Sequence, residues 1–211
     1  VLGRPHHAAE AEEAVRTAKE RFDNVSVDVI CGIPGQSLEQ LETTLRKVIE
    51  LDVQHVSIYP LSIEEHTKFD TWVMEGRIED IDEDQQAQHM ELAAKMLREA
   101  GFERYEVANY AKPGFASRHN TGYWTGKPYI GFGRSAVTMT QNATRRMRYQ
   151  FDEVIDDLDK RQKHAEDLML GMRMSAGVSL DAIKQAEELG IPAQKCFDEL
   201  CSEGFAKKTA T

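Results

Sequence analysis

The sequence predicts an α/β fold over residues 1–150, followed by a helical domain over residues 151–211. Three observations predict it. Residues 25–31 and 56–59 are short β-branched segments, a segment with helical periodicity joins them, and helical spacing of apolar residues dominates after residue 151. Two strands connected through a helix make a βαβ unit, whose strands are parallel and whose connection is right-handed in almost all proteins.

The elements of the α/β part follow from local signals. Residues 8–22 are rich in helix formers, and a capping box of Ser37 and Gln40 begins the helix that ends near Leu51. A third helix is predicted over residues 84–100, where Gly101 caps it, and a short strand over residues 105–107. Residues 108–144 are dense in Gly, aromatic and polar residues without a clear period, which favours a long functional loop.

The last part of the chain is predicted to be entirely helical. Gly177 and Pro192 interrupt the pattern and separate its later segments. The predicted helices cover residues 151–160, 163–174, 179–189 and 193–203.

Composition excludes several classes of protein. The 211 residues are 41% hydrophobic and 29% charged, as in a folded protein of one or two domains. A net charge of −10 disfavours nucleic acid and anionic membranes as partners. No apolar stretch approaches the roughly 20 residues of a membrane span, and no signal-peptide pattern begins the chain, so a cytoplasmic location is predicted. The three cysteines are too scattered to indicate a disulfide framework or a zinc site.

Asp28 is the first candidate site residue. It lies in the middle of the first predicted strand, where a parallel sheet is usually covered on both faces and a carboxylate needs a partner. The carboxylate either has a partner within the protein, through a buried ion pair or backbone hydrogen bonds, or contacts a bound ligand. Ser57 and Tyr59 lie on the corresponding side of the next strand, which favours the ligand.

Two glycine-containing segments and one basic run give weaker signals. Residues 32–36 join a strand to a helix but lack the lysine of a P-loop, and residues 131–136 match a dinucleotide fingerprint without its βαβ context. Arg145, Arg146 and Arg148, with Arg134 nearby, either bind carboxylates or phosphates or form a solvated basic face, and the solvated face is the favoured interpretation.

The densest cluster of functional side chains lies at residues 117–124. His119, Tyr123 and Trp124 combine an imidazole with two amphipathic rings, which suits a flat ligand held by stacking and by an axial nitrogen. The alternative is an aromatic-anchored loop with a hydrogen-bonded His119. The other six histidines, His55 and His89 among them, are interpreted as solvated.

Five segments together resemble the oxygen-independent coproporphyrinogen III oxidase-like radical SAM proteins, and their order and spacing match over nearly the whole chain. The His-Asn-x-x-Tyr-Trp element at 119–124 resembles the HemW heme-chaperone branch of that family. The matching segments are residues 2–6, 27–36, 55–61, 118–124 and 168–173.

The resemblance implies the later half of a partial (β/α)₆ TIM-like barrel that binds S-adenosylmethionine and a [4Fe-4S] cluster, followed by a helical, winged-helix-like C-terminal domain. By position, Arg4 and Asp28 match residues that contact S-adenosylmethionine, and Ser62 and Val137 fall where the family has further contacts. His119 falls on the histidine of the heme-associated motif, which Tyr123 and Trp124 complete.

The chain departs from the family at the cluster. The family's Cys-x-x-x-Cys-x-x-Cys motif does not occur in this sequence, so the chain is expected to be the C-terminal part of a longer protein and to hold no cluster by itself. Enzymatic activity is therefore left open. Val137 stands where relatives commonly have histidine, and Arg134 replaces a small residue, which leaves room for a different ligand.

Three functions remain in competition at this point. The first is a HemW-like chaperone that binds heme and passes it to a recipient protein, and the second is oxidative decarboxylation of coproporphyrinogen III propionates to vinyls. The third is a non-catalytic helical interaction module. Because the strand at 25–31 has no neighbour on its N-terminal side, an open edge and a homodimer are also predicted.

Overall fold

A computed structural model describes residues 6–80 and 82–209. The chain divides into two compact units, Val1–Ser117 (unit 1) and Arg118–Thr211 (unit 2). The boundary predicted near residue 150 falls within a three-stranded sheet of unit 2. No helix among the described residues is long and apolar enough to cross a membrane.

Unit 1 contains the predicted βαβ unit followed by a helix and a small hairpin. Its strands form one sheet in the order β1-β2-β4-β3, in which β1 and β2 are parallel and the other pairs are antiparallel. Among the described residues, β1 pairs on one side only. The elements are α1 (Ala8–Lys19), β1 (Ser26–Cys31), α2 (Leu38–Glu50), β2 (His55–Pro60), α3 (Lys68–Met74), α4 (Glu83–Glu99), β3 (Glu103–Arg104) and β4 (Asn109–Ala111).

The predicted capping box begins α2. The Ser37 hydroxyl accepts a hydrogen bond from the Gln40 amide at 3.2 Å, and the Gln40 side chain accepts one from the Ser37 amide at 2.9 Å. These bonds satisfy two backbone donors that the first turn of a helix leaves free. The sequence signal and the observed start of the helix therefore agree.

One face of the sheet forms the hydrophobic core of unit 1. Alternate strand residues point to this face because side chains alternate along a strand, and the apolar faces of α2 and α4 cover them. The core includes Val29, Cys31, Leu41, Leu45, Val48, Val56, Ile58, Ala93, Leu97 and Tyr110.

The strand predicted at residues 105–107 is wrong, because these residues form the turn between β3 and β4. The Arg104 guanidinium donates to the Val107 carbonyl oxygen, and the Glu106 carboxylate accepts from the Ala108 amide at 3.0 Å. Side chains thus bind the backbone groups that a strand would have offered to a neighbour.

Unit 2 contains a short helix, an antiparallel sheet and three further helices. The sheet order is β5-β6-β7. The long loop predicted for residues 108–144 therefore contains three regular elements, namely β4, α5 and β5. The elements of unit 2 are α5 (Arg118–Trp124), β5 (Val137–Gln141), β6 (Arg146–Gln150), β7 (Glu153–Leu158), α6 (Lys160–Gly171), α7 (Leu180–Glu188) and α8 (Ala193–Ser202).

The helix predicted over residues 151–160 is wrong, because Glu153–Leu158 forms strand β7. Phe151 has a φ of 53° and turns the chain back, so that β7 pairs with β6. Ion pairs between Arg148 and Asp156 and between Arg145 and Asp157 cross the strand pair. Such cross-strand charge pairs favour a hairpin and have no counterpart in helical periodicity.

The basic run is not a solvated face. Arg146 is only 1% exposed, and its guanidinium binds Gln141, Glu166 and Asp167. Arg148 binds Glu166 as well as Asp156. Arg146 and Arg148 therefore form an ion-pair network that joins the sheet of unit 2 to α6, whereas Arg145 is exposed as predicted.

Candidate functional site

The second face of the sheet in unit 1 is polar. Strand register places Asp28 opposite Ser57 and Ser57 opposite Asn109, so three neighbouring strands present polar residues to one face. Tyr59 follows two positions after Ser57 and belongs to the same face. The side on which the sequence places Asp28, Ser57 and Tyr59 is confirmed by this register.

Asp28 differs from its prediction in one respect, because it is exposed and not buried. β1 lies at the end of the sheet as described, and Asp28 has no hydrogen bond or ion pair with another described residue. The argument that burial forces a partner on this carboxylate is therefore wrong. The carboxylate is accessible to a ligand instead.

His55 lies beside Asp28 and is buried at 4% exposure, although the sequence indicated a solvated histidine. Its Nδ1 is 2.7 Å from the Ser26 hydroxyl, and its Nε2 is 2.9 Å from the Tyr105 hydroxyl. Burial lowers the pKa of His55, although the carboxylates of Asp28 and Glu106 act in the opposite direction. Two hydroxyl partners suit a neutral imidazole, which donates to one and accepts from the other.

Glu106 and Asn109 extend the polar face and were not found from the sequence. Glu106 is 2% exposed and accepts a hydrogen bond from the Asn109 side-chain nitrogen. The Asn109 Oδ1 atom is buried without a hydrogen-bond partner among the described residues. An unfilled acceptor therefore lies in register with Ser57 and Asp28.

The other predicted contacts for S-adenosylmethionine are distributed over both units of the chain. Ser62 is exposed just after β2, and Val137 is half-buried at the start of β5 in unit 2. Gly131 packs against Val137 so closely that a Cβ at Gly131 would lie 2.5 Å from the Val137 carbonyl oxygen. Arg4 lies outside the described residues.

His119 and Tyr123 form an aromatic platform on α5 in unit 2. They are four positions apart, so they share one face of the helix, and both are exposed. Their rings meet edge to face at 4.8 Å, and the Tyr123 ring lies 4.7 Å from the Tyr129 ring. We call His119, Tyr123 and Tyr129 the aromatic platform.

The loop after Tyr129 presents two apolar side chains to solvent. Ile130 is 72% exposed and Phe132 is 89% exposed. Contiguous exposed apolar surface marks sites of binding, and these two residues directly follow Tyr129 in the chain. The sequence analysis missed them, although an aromatic residue flanked by Gly131 and Gly133 was a signal for an exposed loop tip.

Trp124 makes different contacts from those of the aromatic platform. Its ring carries the Arg173 guanidinium at 4.6 Å, a cation–π contact. Its Nε1 is buried and has no hydrogen-bond partner among the described residues.

The described residues do not fit a [4Fe-4S] cluster. No group of three or more His, Cys, Asp or Glu side chains in residues 6–80 and 82–209 is arranged to hold a metal ion. Cys31 is buried with its Sγ 3.7 Å from Met90 Sδ, and burial raises the pKa of the Cys31 thiol to about 11, which disfavours the thiolate that a cluster needs. Cys196 and Cys201 both lie on α8.

Comparisons with known proteins agree with the sequence resemblance, although no protein-family model matches the chain. The chain is 31% identical to the heme chaperone HemW of Bacillus subtilis (84% of this chain, 51% of the relative) and 31% identical to that of Lactococcus lactis (98% and 57%). It is 36% identical to the mitochondrial radical S-adenosyl methionine domain-containing protein 1 of Bos taurus (64% and 31%). The chain thus spans about half the length of the HemW relatives.

A solved structure shows the same fold. Coproporphyrinogen III oxidase (HemN) from Escherichia coli, described as a radical SAM enzyme, aligns with a TM-score of 0.67 over 95% of this chain and 52% of that chain. Their identity is 16%, so this likeness concerns the fold alone. By sequence the chain is similar to HemW heme chaperones over up to 98% of its length, and its fold is that of HemN, a radical SAM enzyme.

Proposed function

We propose that this chain is the porphyrin-binding part of a HemW-like heme chaperone. The aromatic platform, formed by His119 and Tyr123 on α5 and by Tyr129 in the following loop, is the observation that carries the proposal. It offers an exposed imidazole with two tyrosine rings, and Ile130 and Phe132 add exposed apolar surface in the same unit.

This chemistry matches heme, which is flat and apolar on both faces and accepts a nitrogen ligand at its iron. His119 is the group that would bind the iron, while Tyr123 supports the imidazole from its edge. The HemW relatives carry heme chaperone in their names, which supports the same assignment. Delivery to a recipient protein, the homodimer formed through β1 and a cytoplasmic location stay predictions.

Heme titration of the chain and its His119→Ala variant tests the proposal. We expect saturable binding with a Soret spectrum typical of a histidine ligand, and a loss of about tenfold in affinity in the variant, equivalent to about 1.4 kcal/mol. His6→Ala, which removes another exposed histidine, is the matched control. An unchanged Soret band in His119→Ala would exclude His119 as the iron ligand.

We also propose that the polar face of unit 1 contacts S-adenosylmethionine through Asp28 and Ser62, while Arg4 and Val137 stay predictions from the family resemblance. The exposed Asp28 carboxylate suits an ammonium group or ribose hydroxyls, and the arginine fork suits a carboxylate. The unfilled Asn109 acceptor on the same face supports a ligand with hydrogen-bond donors. The cofactor supplies a sulfonium group, and these residues bind and orient it.

Calorimetry with S-adenosylmethionine tests this second proposal. Asp28→Asn removes the charge and keeps the shape, and we expect affinity to fall about tenfold because a charge-assisted hydrogen bond is lost. Glu39→Gln, an exposed carboxylate on α2, is the control. Equal affinity in Asp28→Asn and the unmodified chain would contradict the contact.

Coproporphyrinogen oxidation is less well supported by the residues of this chain. The sequence relatives at 31% identity are named heme chaperones, whereas the oxidase aligns at 16% identity. The aromatic platform requires only porphyrin binding, so the chaperone is the function that these residues favour.

A further inference from the structure

Unit 2 contains a cavity of about 340 Å³ that the proposed heme site does not use. It lies among α5, β5, β6, α6 and the start of α7, and its volume falls in the range of small-ligand sites. Its polar lining includes Trp124, Gln141, Arg146, Lys163, Asp167 and Ser179.

Most charges at this cavity are already neutralised. The Arg146 guanidinium binds Asp167 at 2.5 Å and also binds Glu166, and the Lys163 ammonium binds Asp167 at 2.8 Å. Gln141 accepts hydrogen bonds from Arg146 at 2.8 and 3.0 Å. The charges of Arg146 and Lys163 are therefore already paired with carboxylates of the same network.

Two groups at Trp124 make neither a hydrogen bond nor an ion pair with the described residues. The indole Nε1–H is buried and makes no hydrogen bond, and a buried donor left unpaired is costly. The Arg173 guanidinium lies over the same ring at 4.6 Å and forms no ion pair in the described part of the chain. Trp124, which lines the cavity, thus carries one N–H donor at its ring edge and one exposed cation, Arg173, over its ring face.

We propose that this Trp124–Arg173 site binds a carboxylate group. An acceptor with one negative charge satisfies the indole N–H and pairs with the guanidinium. A phosphate dianion is disfavoured, because Glu166 and Asp167 lie in the adjoining network and repel a second negative charge. The carboxylate is a propionate of the bound porphyrin, an assignment that rests on the proposed function. A small free carboxylate is the other ligand with the same chemistry.

NMR of the ¹⁵N-labelled full chain, titrated with sodium propionate against sodium chloride of equal ionic strength, tests the site. The chain has two tryptophans, so Trp124→Phe assigns the Trp124 indole signal and Trp72 serves as an internal control. We expect a saturable shift of the Trp124 signal alone. Arg173→Gln should weaken the binding about tenfold, whereas Arg145→Gln, which removes a cation paired with Asp157, should not.

No saturable shift of the Trp124 signal, or equal binding in Arg173→Gln and the unmodified chain, overturns the carboxylate site. A parallel titration with heme and with heme dimethyl ester identifies the source. If the unmodified chain binds the ester more weakly than heme, and Arg173→Gln binds the two equally, the site binds a heme propionate. If sodium propionate shifts the Trp124 signal but both porphyrins bind equally, the site binds free carboxylates. The same holds if propionate shifts the signal and heme does not bind. Absence of heme binding contradicts the proposed function and leaves the carboxylate site intact.

Discussion

The interior of unit 1 and the interior of unit 2 contain different kinds of buried side chain. The interior of unit 1 is apolar, and Leu41, Leu45 and Ile58 are completely buried between its sheet and helices. In unit 2 the largest fully buried side chain is Arg146, surrounded by the carboxylates of α6. Hydrophobic periodicity in a sequence predicts the apolar interior of unit 1 but does not predict a buried ion-pair network.

The energetic consequences of the two interiors also differ. Apolar burial stabilises in proportion to the area removed from water. A buried ion pair contributes little net stability, yet removing one partner leaves the other charge buried and uncompensated. Unit 2 should therefore be more sensitive than unit 1 to the loss of one side chain.

Arg146→Ala is expected to have the largest effect. It removes the buried guanidinium that Gln141, Glu166 and Asp167 share and leaves a cavity, so it should lower the free energy of unfolding of unit 2 by about 3–5 kcal/mol, although Arg148 and Lys163 still pair with the two carboxylates. Urea unfolding followed by Trp124 fluorescence in a Trp72→Phe background measures this unit.

Arg145→Ala is the matched control for that experiment. Arg145 pairs with Asp157 on the surface, where solvent screens the charges, so its loss should change the stability of unit 2 much less. Equal effects of the two arginine substitutions would show that burial of the network does not stabilise unit 2 in the way described.

Leu45→Ala tests the apolar interior in the same manner. Leu45 is fully buried in the core of unit 1, so the substitution should cost about 3 kcal/mol through lost burial and a cavity. Trp72 fluorescence in a Trp124→Phe background reports on unit 1. Leu38→Ala, at an exposed position of the same helix, should change the free energy of unfolding by less than about 1 kcal/mol, and a similar loss at both positions would contradict the packing.

Alkaline pH should distinguish the units by a smaller amount. Burial raises the pKa of the Cys31 thiol in unit 1 to about 11, above its unfolded value, so the contribution is complete below about pH 9 and is lost as pH rises towards 11. The loss between pH 8 and 10 should be about 1 kcal/mol, because each unit of pKa difference corresponds to about 1.4 kcal/mol.

The pH dependence of urea unfolding by Trp72 fluorescence, compared between the unmodified chain and Cys31→Ala, measures this term. The substitution should remove the alkaline slope even where it lowers stability overall. A slope that persists in Cys31→Ala would assign it to other groups.

The parts of the fold that the sequence predicted correctly have local or periodic signals. The capping box at Ser37, the left-handed Gly101 after α4 and the alternation in β1 each report on a few neighbouring residues. β7 was missed because its partner strand and its ion pairs, such as Arg148 with Asp156, come from pairing and not from its own pattern. Tertiary context overrides weak local preference in such short segments.

The candidate site divides in the same way. Residue type and spacing were enough to select Asp28, His119 and Tyr123. They were not enough to show that Asp28 is exposed, or that His55 and His89 are buried. His89 places its two ring nitrogens 2.7 and 3.1 Å from backbone carbonyl oxygens of Gln85 and Gln36, contacts that join α4 to a turn 53 residues earlier.

The sequence by itself determined the family resemblance, the βαβ unit and the aromatic and imidazole chemistry of residues 119–124, because these depend on residue identity and short-range order. Only the tertiary structure decided the register that aligns Asp28, Ser57 and Asn109, the buried Arg146 network and the unpartnered Trp124 Nε1. The physical reason is that burial and hydrogen-bond satisfaction belong to pairs of groups far apart in the chain, and no single segment records them.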